Sequence, residues 1–200
     1  MSVIWPRAVV SLIVVLLVAL AWGDANEYLR YSRAALERGE MWRLLSGHWV
    51  HLNGAHCALN VAALLTIMWV LGRCLVLWVW LAAAVFLCFF ISACLYFFSP
   101  YVMWYVGFSG VLHGLLMLGL VAGIKDKRDT VFIVVIGLLI VKVVWEQLPG
   151  FDADQLERLI DGRVVVDAHL YGTIGGALLS GVFVLFSWSV GRNRIKPVTR

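Results

Sequence analysis

Charged side chains are scarce in this chain of 200 residues: 12 acidic and 16 basic residues make up 14% of it, against about 25% in an ordinary soluble domain. Together with 62% hydrophobic residues and a mean hydropathy of +0.92, that shortage excludes a soluble globular domain and a disordered chain alike. Proline occurs only four times and the 18 glycines follow no triplet period, which excludes collagen. The four cysteines, Cys57, Cys74, Cys88 and Cys94, all lie in apolar stretches, where a thiol behaves as a small hydrophobe. Neither a secreted disulfide scaffold nor a cysteine metal site is implied. Internal repeats, low-complexity tracts and linkers are also missing, so residues 1–200 read as one domain.

What the chain has instead is long apolar runs. A helix needs about 20 residues to cross hydrocarbon, and the runs predict six helices, near residues 8–22, 55–71, 74–98, 109–124, 130–147 and 164–190. Gly72 and Arg73 alone separate the second and third, a tight hairpin. The first run is short, and its single arginine and Ala19-Leu20-Ala21 ending also fit a signal peptide cut after Ala21; it is retained here as a span. The expected fold is an all-α membrane protein with a partly interfacial first loop, residues 23–54.

Charge gives the orientation, because cytoplasmic loops accumulate Lys and Arg. One side collects nine basic residues (Arg7, Arg73, Lys125, Lys127, Arg128, Arg192, Arg194, Lys196, Arg200) against Asp126 and Asp129. The other side collects six arginines against ten acids, among them Glu40, Glu146 and Asp167. An even number of spans with both termini in the cytoplasm sorts the charges in this way. The basic balance is therefore topology and implies no nucleic-acid partner. Tryptophans 5, 22, 42, 49, 104, 145 and 188 fall near span ends, as an aromatic belt requires. Lys142, inside a span, is expected to snorkel toward the headgroups, and the acidic loop 151–163 reads as solvated and without chemistry.

Polar residues at depth carry the functional information, since each costs free energy unless it meets a partner or a cavity. Ser109 opens the fourth predicted helix, whose 16 residues span about 24 Å, short of the ~30 Å hydrocarbon core. Its hydroxyl should therefore lie below the membrane surface. His169, near the start of the sixth helix, belongs to the same side. Gly172 and Gly176 share its face, and Gly110 and Gly114 form a matching small patch beside Ser109, letting two backbones approach. A Ser–His hydrogen bond there is the chemistry of an activated nucleophile and its base. His56 and Asn60, four apart on the second helix, can donate to an oxyanion together with the backbone N–H of Ser109. Ser46, His48, His51 and Asn53 can wet the cavity from the first loop, and His113 lies one turn below Ser109. Each feature also has a plain reading: Ser109 as a helix N-cap, the glycines as a packing seam, and the histidines as buried hydrogen-bonding groups.

Taken in order, Trp42-Arg43, His56-x-x-x-Asn60, Gly107-Phe108-Ser109-Gly110 and Ala168-His169-x-x-Gly172-x-x-x-Gly176 resemble the motifs of the rhomboid family of intramembrane serine proteases, over about residues 40–180. Gly-Phe-Ser-Gly-Val-Leu-His-Gly and Ala-His-Leu-Tyr-Gly are most similar to its rhombosortase branch. The resemblance implies Ser109 as nucleophile, His169 as base of a Ser–His dyad without a third acidic member, and His56 and Asn60 at the oxyanion hole. It also implies a bacterial inner-membrane enzyme facing the outer leaflet, no cofactor or metal, and substrates with a C-terminal transmembrane tail preceded by a Gly-Gly motif. The best-known bacterial members have a tyrosine four residues after the serine; here that position is His113, so the surroundings of His169 are expected to differ. By the same resemblance the fifth predicted helix is the gate. Other classes are a haem or metal membrane protein ligated by some of the five histidines, and a small transporter or a rhomboid-like protein that binds helices without cutting them.

Overall fold

The computed structural model describes residues 4–20, 25–127 and 129–193. Its long helices stand where the apolar runs predict them: α1 (Ile4–Leu20), α5 (Gly54–Leu71), α6 (Leu77–Phe98), α7 (Ser109–Lys127), α8 (Thr130–Glu146) and α10 (Val166–Asn193). Between them lie short helices, α2 (Ala25–Leu29), α3 (Arg33–Glu37), α4 (Arg43–Ser46) and α9 (Asp154–Ile160), and two short strands, β1 (Tyr31–Ser32) and β2 (Trp104–Tyr105). Among the described residues, three helices are long and apolar enough to cross a membrane: Gly54–Leu71, Leu77–Phe98 and Val166–Trp188. Residues 9–19 and 109–125 form shorter apolar helices. The end of the first predicted span, Trp22 and the cleavage point after Ala21 lie outside the described residues, as do Arg128 and the C-terminal Arg194, Lys196 and Arg200.

Helix ends follow local chemistry. Asn53 caps α5, its side-chain oxygen accepting from the His56 N–H at 2.9 Å, and Asp129 caps α8 through the Val131 N–H at 2.9 Å. The hairpin between α5 and α6 is longer than two residues, because Cys74 turns back onto the Leu71 carbonyl and Val76 is extended, so α6 starts only at Leu77. The α7 helix runs three residues past its expected end, through a charged turn in which the Lys125 ammonium sits 5.6 Å from the Phe183 ring. The fold is also not purely helical. After α6 ends at Ser99-Pro100, the chain pairs Trp104 and Tyr105 with Ser32 and Tyr31 of the first loop in an antiparallel ribbon. Backbone that leaves a helix at depth must find protein partners, and the first loop supplies them.

At the centre stands α7, with Val111, Leu112, Leu115, Leu118 and Leu120 all buried, whereas α8 turns Val134, Leu138, Val141 and Trp145 outward. Lipid tails are as apolar as leucine, so helices in a bilayer associate through close packing and interhelix hydrogen bonds. Both occur here. Arg33 reaches across to the C-terminal carbonyls of α6, donating to Leu95, Tyr96 and Ser99. Arg43, buried, donates to the carbonyls of Glu27 and Arg30 and pairs with Glu40 at 2.7 Å, locking the first loop on itself. Its neighbour Trp42 remains exposed, as do Tyr28 and Met41, in keeping with an interfacial loop. His48 is fully buried, its Nε2–H shared between the Cys88 carbonyl at 2.9 Å and Ser92 Oγ at 3.0 Å, and burial pushes its pKa down to about 4. It pins the first loop to α6 and does not wet a cavity.

The expected glycine patches meet. A Cβ on Gly110 would stand 2.7 Å from the Ala168 carbonyl oxygen, and one on Gly114 would stand 2.6 Å from that of Gly172. Gly172 and Gly176 face the Gly110 and Gly114 carbonyls in return. Along this seam α7 and α10 touch backbone to backbone, one residue away from Ser109 and from His169.

Candidate active site

Ser109 is the first residue of α7, and its hydroxyl lies 3.0 Å from His169 Nε2. The N-cap reading of this serine is thus corrected: the helix begins at the serine itself, and the hydroxyl turns toward α10. The distance follows from the glycine seam, since Gly110 adjoins Ser109 and Ala168 adjoins His169.

Gly107 sets the approach to the serine. Its φ of +117° is a backbone conformation open to glycine and strained for other residues. A Cβ at this position would also stand 2.7 Å from Cε1 of His56, so the imidazole of His56 packs directly on the Gly107 backbone. The Leu52 N–H points at His56 Nδ1 from 3.4 Å, which makes Nδ1 the acceptor and leaves the proton on Nε2. Asn60 spends one amide hydrogen on the His56 carbonyl at 3.0 Å and keeps another. Both side chains, with Ser109, His113 and His169, line a cavity of about 260 Å³. His51 does not line it; it stands one layer behind, edge-on to His56 with ring centroids 5.0 Å apart.

The loop read as solvated has a different place. Residues 154–160 form α9, whose Leu156 and Ile160 close one side of the cavity with Arg163, Val164 and Val165. Asn53 fastens α9 to the start of α5 by donating to the Leu159 carbonyl at 3.1 Å. Acidic residues on the outer side of α9 hid this apolar inner side in the sequence.

His113 stands four residues after Ser109, the position at which the resemblance noted in the sequence would have tyrosine. Its ring stacks on that of His169, centroids 4.2 Å apart and planes 14° from parallel. A carbonyl can only accept, so the 2.8 Å contact with the Ser109 carbonyl places the His113 proton on Nδ1. Its Nε2 then accepts from the Lys142 ammonium at 3.0 Å. Lys142 does not snorkel to the headgroups: it also pairs with Glu146 at 2.6 Å, one turn along α8. Glu146, buried, presents its other oxygen to His169 Nδ1 at 3.0 Å. Sequence reasoning missed Glu146 by counting it among the loop acids. The signal was nonetheless present: two ionisable residues four apart at the end of an otherwise apolar helix mark a functional site by default.

Three groups here, His113, Glu146 and His169, hold ligand-type atoms within 4.8 Å of one another. Lone pairs of ring nitrogens lie in the ring plane, and the two nearly parallel planes do not converge on one point. The cation at this spot is already an ammonium, that of Lys142. This donor geometry argues against a metal held by these three residues.

Chemically, the arrangement joins a hydroxyl to an imidazole whose accepting nitrogen faces it, beside hydrogen-bond donors and inside a partly enclosed cavity. Comparison with protein-family models matches the Rhomboid domain over residues 38–186, from the first loop to the last helix. No curated protein matches the chain.

Proposed function

The chain belongs to the rhomboid family, and on that premise we propose that it is an intramembrane serine endopeptidase acting through Ser109 and His169 on the C-terminal transmembrane tail of secreted or surface proteins. Rhomboids are in general intramembrane serine proteases that act on transmembrane substrates within the bilayer. The observation that carries the reading is the 3.0 Å contact between Ser109 Oγ and His169 Nε2 at the wall of the cavity. As Ser109 Oγ attacks the scissile carbonyl, its proton passes to Nε2 and is returned to the leaving amine; water then releases the acyl group by the same route in reverse. The Nε2–H of His56, the Asn60 amide and the Ser109 N–H at the start of α7 are the donors for the oxyanion.

Tails preceded by Gly-Gly suit this chemistry. Glycine costs a helix about 1 kcal/mol per residue, so a glycine pair at the outer end of a tail frees its carbonyls from helical hydrogen bonds and exposes them to attack. In the proposed topology six spans, α1, α5, α6, α7, α8 and α10, form one domain in a bacterial inner membrane. Both termini are cytoplasmic and Ser109 lies toward the outer leaflet, the orientation favoured by the excess of Lys and Arg on the other side. The test is cleavage of a reporter bearing a Gly-Gly-preceded apolar tail by the purified chain in liposomes, with the cut located by mass spectrometry. Cleavage at the glycine pair that disappears in Ser109→Ala and His169→Ala supports the proposal; full cleavage by Ser109→Ala refutes it.

A further inference from the structure

A general base must present an unprotonated Nε2 to the serine, so the proton of neutral His169 belongs on Nδ1, and something must keep it there. Both His169 and Glu146 are buried, with side chains 8% and 7% exposed, which leaves water little access to Nδ1. Glu146 Oε2 stands 3.0 Å from that nitrogen. An ionised carboxylate accepts and never donates, so it selects the tautomer in which Nε2 is free for Ser109. Its own orientation is fixed from the far side, Oε1 receiving the Lys142 ammonium at 2.6 Å.

Lys142 in turn reaches His113 Nε2, His113 stacks on the His169 ring, and its Nδ1–H donates to the Ser109 carbonyl. Donor and acceptor assignments around this circuit of five side chains agree at every contact, with no atom asked to donate and accept the same proton. The charges facing His169 from α8 are the Glu146 carboxylate and the Lys142 ammonium; from α7 it faces the His113 ring, and from α5 His56.

We propose that Glu146 is the positioning residue of His169, so that the site is a Ser109–His169–Glu146 triad whose acid comes from α8 and is held in place by Lys142. The inference rests on the reading of Ser109 and His169 as nucleophile and base. During attack the Ser109 proton moves to Nε2 while the Oγ–carbon bond forms; the Nδ1 proton stays on His169, and Glu146 remains ionised beside the imidazolium it stabilises.

The test uses the full chain in detergent or liposomes. Glu146→Gln retains the shape and presents an amide that donates to Nδ1, favouring the unproductive tautomer. The expected result is a fall in kcat on the tailed reporter of roughly 10² to 10⁴-fold with little change in KM. Glu146→Ala forces neither tautomer and should lose less than Glu146→Gln. A merely structural role reverses that order, because alanine leaves the larger void.

A second readout leaves Glu146 in place. In ¹⁵N-histidine-labelled chain, His169, assigned by its loss in His169→Ala, should give a far-downfield proton on Nδ1. Wild-type kcat in Glu146→Gln, alanine as the more damaging change, or a His169 proton found on Nε2 would each overturn the triad. Any of these results with cleavage still abolished by Ser109→Ala would leave the serine protease reading standing; cleavage surviving Ser109→Ala would remove both.

Discussion

Substituting Gly110 by alanine tests whether the glycine seam sets the distance between Ser109 and His169. The new Cβ would stand 2.7 Å from the Ala168 carbonyl oxygen, 3.1 Å from its carbon and 3.2 Å from its Cβ, where ordinary contact begins at 3.4 Å. The opposing atoms are backbone or a rigid methyl, so no rotamer change relieves the overlap and α10 must move off α7 by about 0.7 Å. Ala168 immediately precedes His169 and Gly110 immediately follows Ser109, so the displacement falls on the reacting pair. Their 3.0 Å hydrogen bond would stretch to about 3.7 Å, beyond useful length. A misplacement of this size costs on the order of 10² in rate, and the overpacking costs about 1–3 kcal/mol of stability. The assay is kcat on the tailed reporter beside thermal unfolding in detergent. A kcat loss near 10² in a protein still folded at the assay temperature is expected. An unchanged kcat would refute the claim that this seam positions the pair.

Asn60→Ala and His56→Ala should each lower kcat by roughly 10²-fold without abolishing cleavage, because each removes one oxyanion donor of several; steady-state kinetics in liposomes checks it, and an unchanged kcat for both would empty the proposed hole. His48, with a pKa lowered by burial from 6.5 to about 4, stays neutral in the fold while the unfolded chain takes up a proton. Stability should therefore fall as pH drops from about 6.5 toward 4, with a slope of up to ~1.4 kcal/mol per pH unit from this group. Thermal unfolding at stepped pH measures the slope, and His48→Gln should flatten it. Cleavage should survive a strong divalent-cation chelator unchanged, since Lys142 takes the place a cation would need; loss that added metal restores would contradict that reading.

Much of this was legible in the sequence because it is periodic or rule-bound. Apolar runs gave the long helices to within a few residues, and the spacing of Gly172 and Gly176 pointed to the seam. Ser109 and His169 could be paired because both lie near helix starts that the charge pattern puts on one side. What could not be read was set by contacts distant in sequence. The ribbon of Tyr31–Ser32 with Trp104–Tyr105 involves two short segments with no strand periodicity. Residues 154–160 look solvated until Leu156 and Ile160 are found to turn under them toward the cavity. Lys142 was visible as an ion inside a span and Glu146 was counted with the loop acids; the direction of both depends on how α8 rotates against α10, which an apolar helix surface does not encode. His113 could be flagged as a departure from the family pattern, yet its stacking on His169 is set by how closely α7 and α10 pack.

The central claim is that Ser109 is a nucleophile activated by His169. Its most direct test is covalent labelling of the purified chain with a serine-reactive phosphonate, followed by intact mass and peptide mapping, beside Ser109→Ala and His169→Ala. A single adduct on Ser109, absent from both variants while their thermal unfolding matches the parent, is predicted. An unlabelled parent, in conditions where another intramembrane serine protease labels fully, or an adduct that persists in Ser109→Ala, would contradict it.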